Sequence, residues 1–111
     1  MSKPRTPTTQ GISRLLANAG FERSAQLSRA TLNHRYTAGF HVRSDGQAVY
    51  VGWRNKTPLI SPSALQVERD KRAALEMVQQ YAGTLSTLGW QAEVIHLNGP
   101  LARVTAKTEE G

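Results

Sequence analysis

The sequence predicts a single α+β domain with element order α-β-β-α-β-β, folded as a four-stranded, mostly antiparallel sheet with helices packed on one face. Three observations carry that expectation. Asp45-Gly46 stands between two runs in which apolar and polar residues alternate, the mark of a β-hairpin. A second pair of short strand-like runs, 91–96 and 101–106, flanks Asn98-Gly99-Pro100. Between the hairpins lies one long stretch whose apolar residues recur with the period of a helix.

Residues 1–8 read as a flexible basic tail, because Pro4 and Pro7 fix their own torsions and donate no amide hydrogen. The domain proper is expected over 9–106. Ile12, Leu15, Leu16 and Ala19 fall on one helical stripe, Thr8 or Thr9 can cap its start, and Gly20 suits a left-handed stop with Phe21 folding back. Residues 22–38 hold neither period and read as a long polar connection. A helix-turn-helix built from 12–19 and 22–32 is disfavoured, since the apolar spacing of 22–32 is too irregular for a packed recognition helix.

A two-residue turn at Asp45-Gly46 pairs Val42 with Val49 and Phe40 with Val51, and it sets His41 opposite Tyr50. Phe40, Val42, Val49, Val51 and Trp53 then share the core face, and His41, Arg43, Ala48, Tyr50 and Arg54 share the other. Ser61-Pro62 or a Ser63/Gln66 capping box opens the long helix. Ala74, Leu75, Val78, Tyr81, Ala82, Leu85 and Leu88 form its stripe, and Arg69, Arg72, Glu76 and Gln80 its wet face. Gly89 stops it, Trp90 leads into the second strand pair, and 107–111 reads as a frayed tail. Both tryptophans are expected to plug the junction of sheet and helix.

Charge is sorted along the chain. Residues 1–60 hold nine Lys and Arg against two acids, a net of +7, whereas 61–111 hold five bases and six acids, a net of −1. A basic face attracts phosphate or acidic protein surfaces. With no cysteine, disulfides and zinc fingers are excluded. No apolar run approaches the length of a membrane span, and the opening residues lack the apolar stretch of a secretory signal, so a cytoplasmic location is expected.

Arginine and aromatic side chains on a flat sheet face can meet phosphates and stack on bases. The candidate nucleic-acid-binding residues are therefore Arg43, Arg54, Tyr50 and His41 of the hairpin, Arg23, Arg29 and Arg35 of the polar connection, and Lys56. The same residues also suit an ordinary solvated surface. His34, His41 and His96 lie far apart with no carboxylate at a telling spacing, and neither a nucleophile elbow nor a phosphate-cradling glycine loop is present. No catalytic residue, metal site or cofactor is expected.

Leu15–Ser24, Gly39–Val42 with Val49–Val51, and Tyr81–Trp90 resemble segments of small uncharacterised proteins from actinobacteria and their phages and plasmids. The resemblance implies a mobile-element accessory protein, a class that includes DNA binders and small inhibitors of host proteins. It covers helix stops and strand cores and carries over no functional residue. The leading expectation is a small non-enzymatic nucleic-acid-binding protein contacting DNA or RNA phosphates through its basic first half. The alternative is a protein-interaction module or inhibitor docking on an acidic surface of a host protein.

Overall fold

The computed structural model describes residues 6–24, 37–55, 63–97 and 99–106. The expectations for most of the basic tail, the heart of the polar connection, the Ser61-Pro62 cap and the 107–111 tail lie outside these residues. The elements follow in the order α1 (Thr9–Asn18), β1 (Gly39–Ser44), β2 (Val49–Arg54), α2 (Ala64–Thr87), β3 (Trp90–His96) and β4 (Pro100–Ala106). They form a two-layer α+β fold, with one antiparallel sheet in the order β1-β2-β4-β3 and both helices on its inner face.

Helix α1 begins where Thr8 Oγ1 accepts the Gly11 amide at 3.0 Å. It stops at Gly20, whose φ of +100° is left-handed, and the Phe21 amide then donates to the Leu16 carbonyl at 3.1 Å. Pro7 is buried, so the run expected to be mobile up to residue 8 has joined the fold by that point. Glu22–Ser24 does not open a second helix. Instead Phe40 donates its amide to Glu22 and accepts one from Ser24, both at 2.9 Å, in a single parallel bridge along the outer edge of β1. That backbone approach requires Gly39, where a Cβ would collide with the Glu22 carbonyl oxygen.

The β1–β2 register departs from the expected one by two residues. Phe40 faces Trp53, Val42 faces Val51, Arg43 faces Tyr50, and His41 faces Gly52 rather than Tyr50. The cause is Asp45. Its Oδ1 accepts the Gln47 amide at 2.9 Å and the Ala48 amide at 2.8 Å, and its own amide donates to the Ala48 carbonyl, closing a four-residue loop. Ala48 is thereby buried in the loop and is no longer a strand residue of the outer face. A shift of two keeps the parity of the pleat, so the division into two faces survives.

Ser63 caps α2, accepting the Gln66 amide at 3.2 Å, while the Gln66 side chain turns to Asp70 Oδ1 instead of closing a capping box. Val78, Tyr81, Ala82 and Leu85 of α2 and Ile12 and Leu16 of α1 bury against Phe40, Val49, Val51, Ala102 and Val104 of the sheet, with Trp90 at the margin. Tyr81 is central, edge-on to Phe21 at 4.9 Å and to Phe40 at 6.0 Å.

Two glycines test this packing in opposite directions. A Cβ at Gly83 would meet nothing within 4 Å, so Gly83→Ala is expected to raise stability by about 1 kcal/mol. Gly39→Ala is expected to lower it by about 2 kcal/mol, because backbone must move to admit the methyl group. Urea titration of both variants is the check, and a Gly39→Ala protein as stable as the parent would remove the close approach at β1. Tyr81 offers a third test. Its hydroxyl is buried without a hydrogen-bond partner among the described residues, and burial pushes its pKa up to about 12. Tyr81→Phe keeps the ring contacts and deletes the orphaned group, so a gain of about 1 kcal/mol is expected in the same titration.

Candidate functional site

The outer face of the sheet has no described element packed over it, and side chains cross it in two rows. In the first row Arg43, Tyr50, Arg103 and Glu93 follow one another across β1, β2, β4 and β3. The Tyr50 hydroxyl donates to Asp45 Oδ2 at 2.9 Å and is hydrogen-bonded to the Arg103 guanidinium, which lies 3.5 Å from Glu93. The bond to Tyr50, with smaller help from Glu93, holds Arg103 above its ordinary value. Two carboxylates therefore accompany two arginines, and the Tyr50 hydroxyl is tied into the row. This part of the face is an electrically balanced polar ladder.

The second row is different. His41 lies over Gly52, where the missing side chain leaves room for the imidazole, and Leu101 closes in from β4. Burial of the ring pushes the His41 pKa down, and the positive charges of Arg54 and Arg43 push it further.

This row opens into a groove of about 1060 Å³ at the end of the sheet. Pairing between β2 and β4 stops at Val51↔Ala102, although β2 continues to Arg54 and β4 starts at Pro100. The first half of α2 projects past the same end, with Ala64–Arg69 exposed. The lining of the groove combines apolar Trp53, Leu75, Pro100 and Leu101 with cationic side chains. Arg43 and Arg54 come from the hairpin and Lys71 and Arg72 from α2, with His41 and His96 between. Asp70 is the one carboxylate among the described lining residues, and it accepts amide hydrogens from Asn55 and Gln66, each at 2.9 Å.

Neither a protein-family model, nor a curated protein, nor a solved structure matches the chain.

The site therefore rests on its own geometry. Of the residues proposed from sequence, Arg43, Arg54 and His41 converge on the groove. Tyr50 lies one row away in the polar ladder, and Arg23 sits exposed on the outer edge of β1. Arg29, Arg35 and Lys56 lie outside the described residues. Lys71, Arg72 and His96 were not among the candidates, and Trp53 was read as a core plug. It is half-buried, packing on the core while lining the groove. A signal for Lys71 was present: counting back four from Leu75 and seven from Val78 puts a lysine on the apolar stripe, where a core helix would carry an apolar side chain. Although His41, His96 and Asp70 line one groove, no group of three metal-ligating side chains comes together among the described residues.

The loop carboxylate gives a pH test. The Ala48 and Gln47 amides and the Tyr50 hydroxyl hold Asp45 at about 2, against an ordinary value of 3.8. A carboxyl whose folded-state value is depressed supports the fold above its unfolded value and loses that support as pH falls through the folded one. The Asp45 contribution is therefore expected to be complete above pH 4 and to fade toward pH 2. Carbon-detected NMR titration of the Asp45 side chain checks this, and a midpoint near the ordinary value would mean that the loop bonds are not formed in solution.

Proposed function

We propose that the protein is a small non-enzymatic nucleic-acid-binding protein that holds a phosphate backbone along the walls of the end groove. The observation that supports this most directly is the lining of the groove, in which Arg43 and Arg54 of the sheet and Lys71 and Arg72 of α2 join the apolar Trp53, Leu75, Pro100 and Leu101. Phosphate contacts supply most of the affinity of such proteins and are made by Arg and Lys with little regard to sequence. Against these four cations the described lining residues include one carboxylate, Asp70, which the Asn55 and Gln66 side-chain amides hold in place. Burial lowers the His41 pKa, and the positive charges of Arg54 and Arg43, which an incoming phosphate would offset, lower it further.

A second reading, a protein-interaction module docking on an acidic protein surface, has one observation in its favour. Leu65 on the projecting part of α2 and Leu97 beside the groove are 62% and 55% exposed, more than a purely electrostatic site requires.

Fluorescence anisotropy with labelled oligonucleotides at two salt concentrations tests the leading reading. Affinity is expected to fall steeply with salt, with a log–log slope of about −0.9 per phosphate contact on duplex DNA and about −0.7 on a single strand. Replacing Lys71 and Arg72 by Gln is expected to weaken binding and flatten that slope by roughly two contacts' worth. No binding at low salt would reject nucleic acid as the ligand. A slope and affinity unchanged in the double variant would remove the groove as the site.

A further inference from the structure

The floor of the groove narrows the ligand class, and the argument rests on the phosphate reading just given. We infer that the groove selects single-stranded over duplex nucleic acid, with Trp53 as the surface on which an unpaired base stacks.

Trp53 is anchored as a stacking platform needs to be. It faces Phe40 across the β1–β2 ladder and packs on the core, so its position is set by the sheet, while part of it lines the groove. It stands on β2 beyond the last pair with β4, at the end of the sheet that the groove borders. Leu75, Pro100 and Leu101 continue that floor. Such a surface offers contact area and few hydrogen-bonding groups. It suits the faces of bases, which every nucleotide has, and not the edge-reading by which sequence is recognised.

A duplex cannot use this floor. Its bases are stacked on one another, and it would present only phosphates and groove edges to the cationic walls, leaving the apolar surface wet. A single strand can turn its bases inward to the floor while its phosphates stay at the walls. The volume of about 1060 Å³ lies just above the roughly 300–1,000 Å³ typical of small-ligand pockets, which leaves room for a few nucleotides at a time. Charge complementarity decides the occupant, because an apolar surface alone would accept any apolar ligand, whereas four cations from the sheet and from α2 call for a polyanion that also carries flat apolar faces.

The test uses the full chain with labelled oligo-dT, oligo-U and a mixed-sequence DNA duplex of the same length at low salt, and heparin as a polyanion without bases. One or both single strands are expected to bind at least tenfold more tightly than the duplex, and a preference between them names the sugar. Trp53→Leu is expected to lose about tenfold or more on the single strand and to leave heparin binding unchanged, whereas Trp53→Phe retains most of the affinity. Because Trp53 also packs on the core, a direct readout accompanies the variants: in a Trp90→Phe background, the Trp53 fluorescence is expected to be quenched by oligo-dT and not by heparin. Duplex binding as tight as or tighter than single-strand binding, without quenching, overturns the inference and leaves the phosphate reading standing. Absence of binding to every polyanion overturns both.

Discussion

A helix of 24 residues rises about 36 Å, whereas a seven-residue strand spans about 23 Å. That mismatch shapes the protein. Helix α2 can bury only the part of its stripe that lies over the sheet, and Val78, Tyr81, Ala82 and Leu85 take that role. Because Gly89 and Trp90 tie the end of the helix directly to the start of β3, the surplus cannot be shared between the two ends. It all projects past the end where β2 finishes and β4 begins. The groove is the space between this projection and the sheet, so its existence follows from a helix length and one short turn.

Electrostatics divides the outer face in a way that net charge does not foretell. The first half of the chain carries the excess of cations, but Tyr50 is held in a row with Arg103, Asp45 and Glu93, two of which come from the second half. Opposite charges at that spacing cancel at a distance, and exposed pairs of this kind add little to stability. Arg43 belongs to that balanced row and also lines the groove, where Arg54 joins it and Asp70 is the one carboxylate among the described lining residues. There the second half adds Lys71 and Arg72, from a helix that is close to neutral overall. A cationic site has thus been assembled from a basic hairpin and a mixed-charge helix, and neither would identify it alone.

The architecture was legible because each element carries its own punctuation: Thr8 and Ser63 as caps, Gly20 and Gly89 as stops, and alternation on both sides of Asp45. Parity was legible for the same reason, and it rescued the face assignment when the register proved to be shifted by two. The register itself was not. Asp-Gly is compatible with two loop lengths, and the choice was made by side-chain bonds from Asp45 to the Gln47 and Ala48 amides, which depend on geometry rather than residue type. The candidate site was half legible. Arg43, Arg54 and His41 could be placed on one face from the pleat alone, but their meeting with Lys71 and Arg72 depends on how far α2 overhangs, a long-range quantity. Trp53 packs on the core as its residue type and its position on the core face favour, and the half of it that lines the groove depends on the same long-range placement of α2.

The strand order β1-β2-β4-β3 is balanced about its centre, since each hairpin contributes its first strand to an edge and its second to the middle. Each helix ends on a left-handed glycine, Gly20 or Gly89, followed by an aromatic residue that packs on the core. A fold so nearly balanced about its centre would have two similar ends if its helices were alike. They are not: α1 has 10 residues, about 15 Å, and buries Ile12 and Leu16 in the core beside β1. All of the asymmetry, and with it the one described groove in which cations line two walls, comes from α2 being longer than the layer it covers. On this argument the apolar stripe beyond Val78 has a different job from the stripe before it, and the change is marked in the chain by Lys71, the first position at which the helical period places a charge where a core residue would stand.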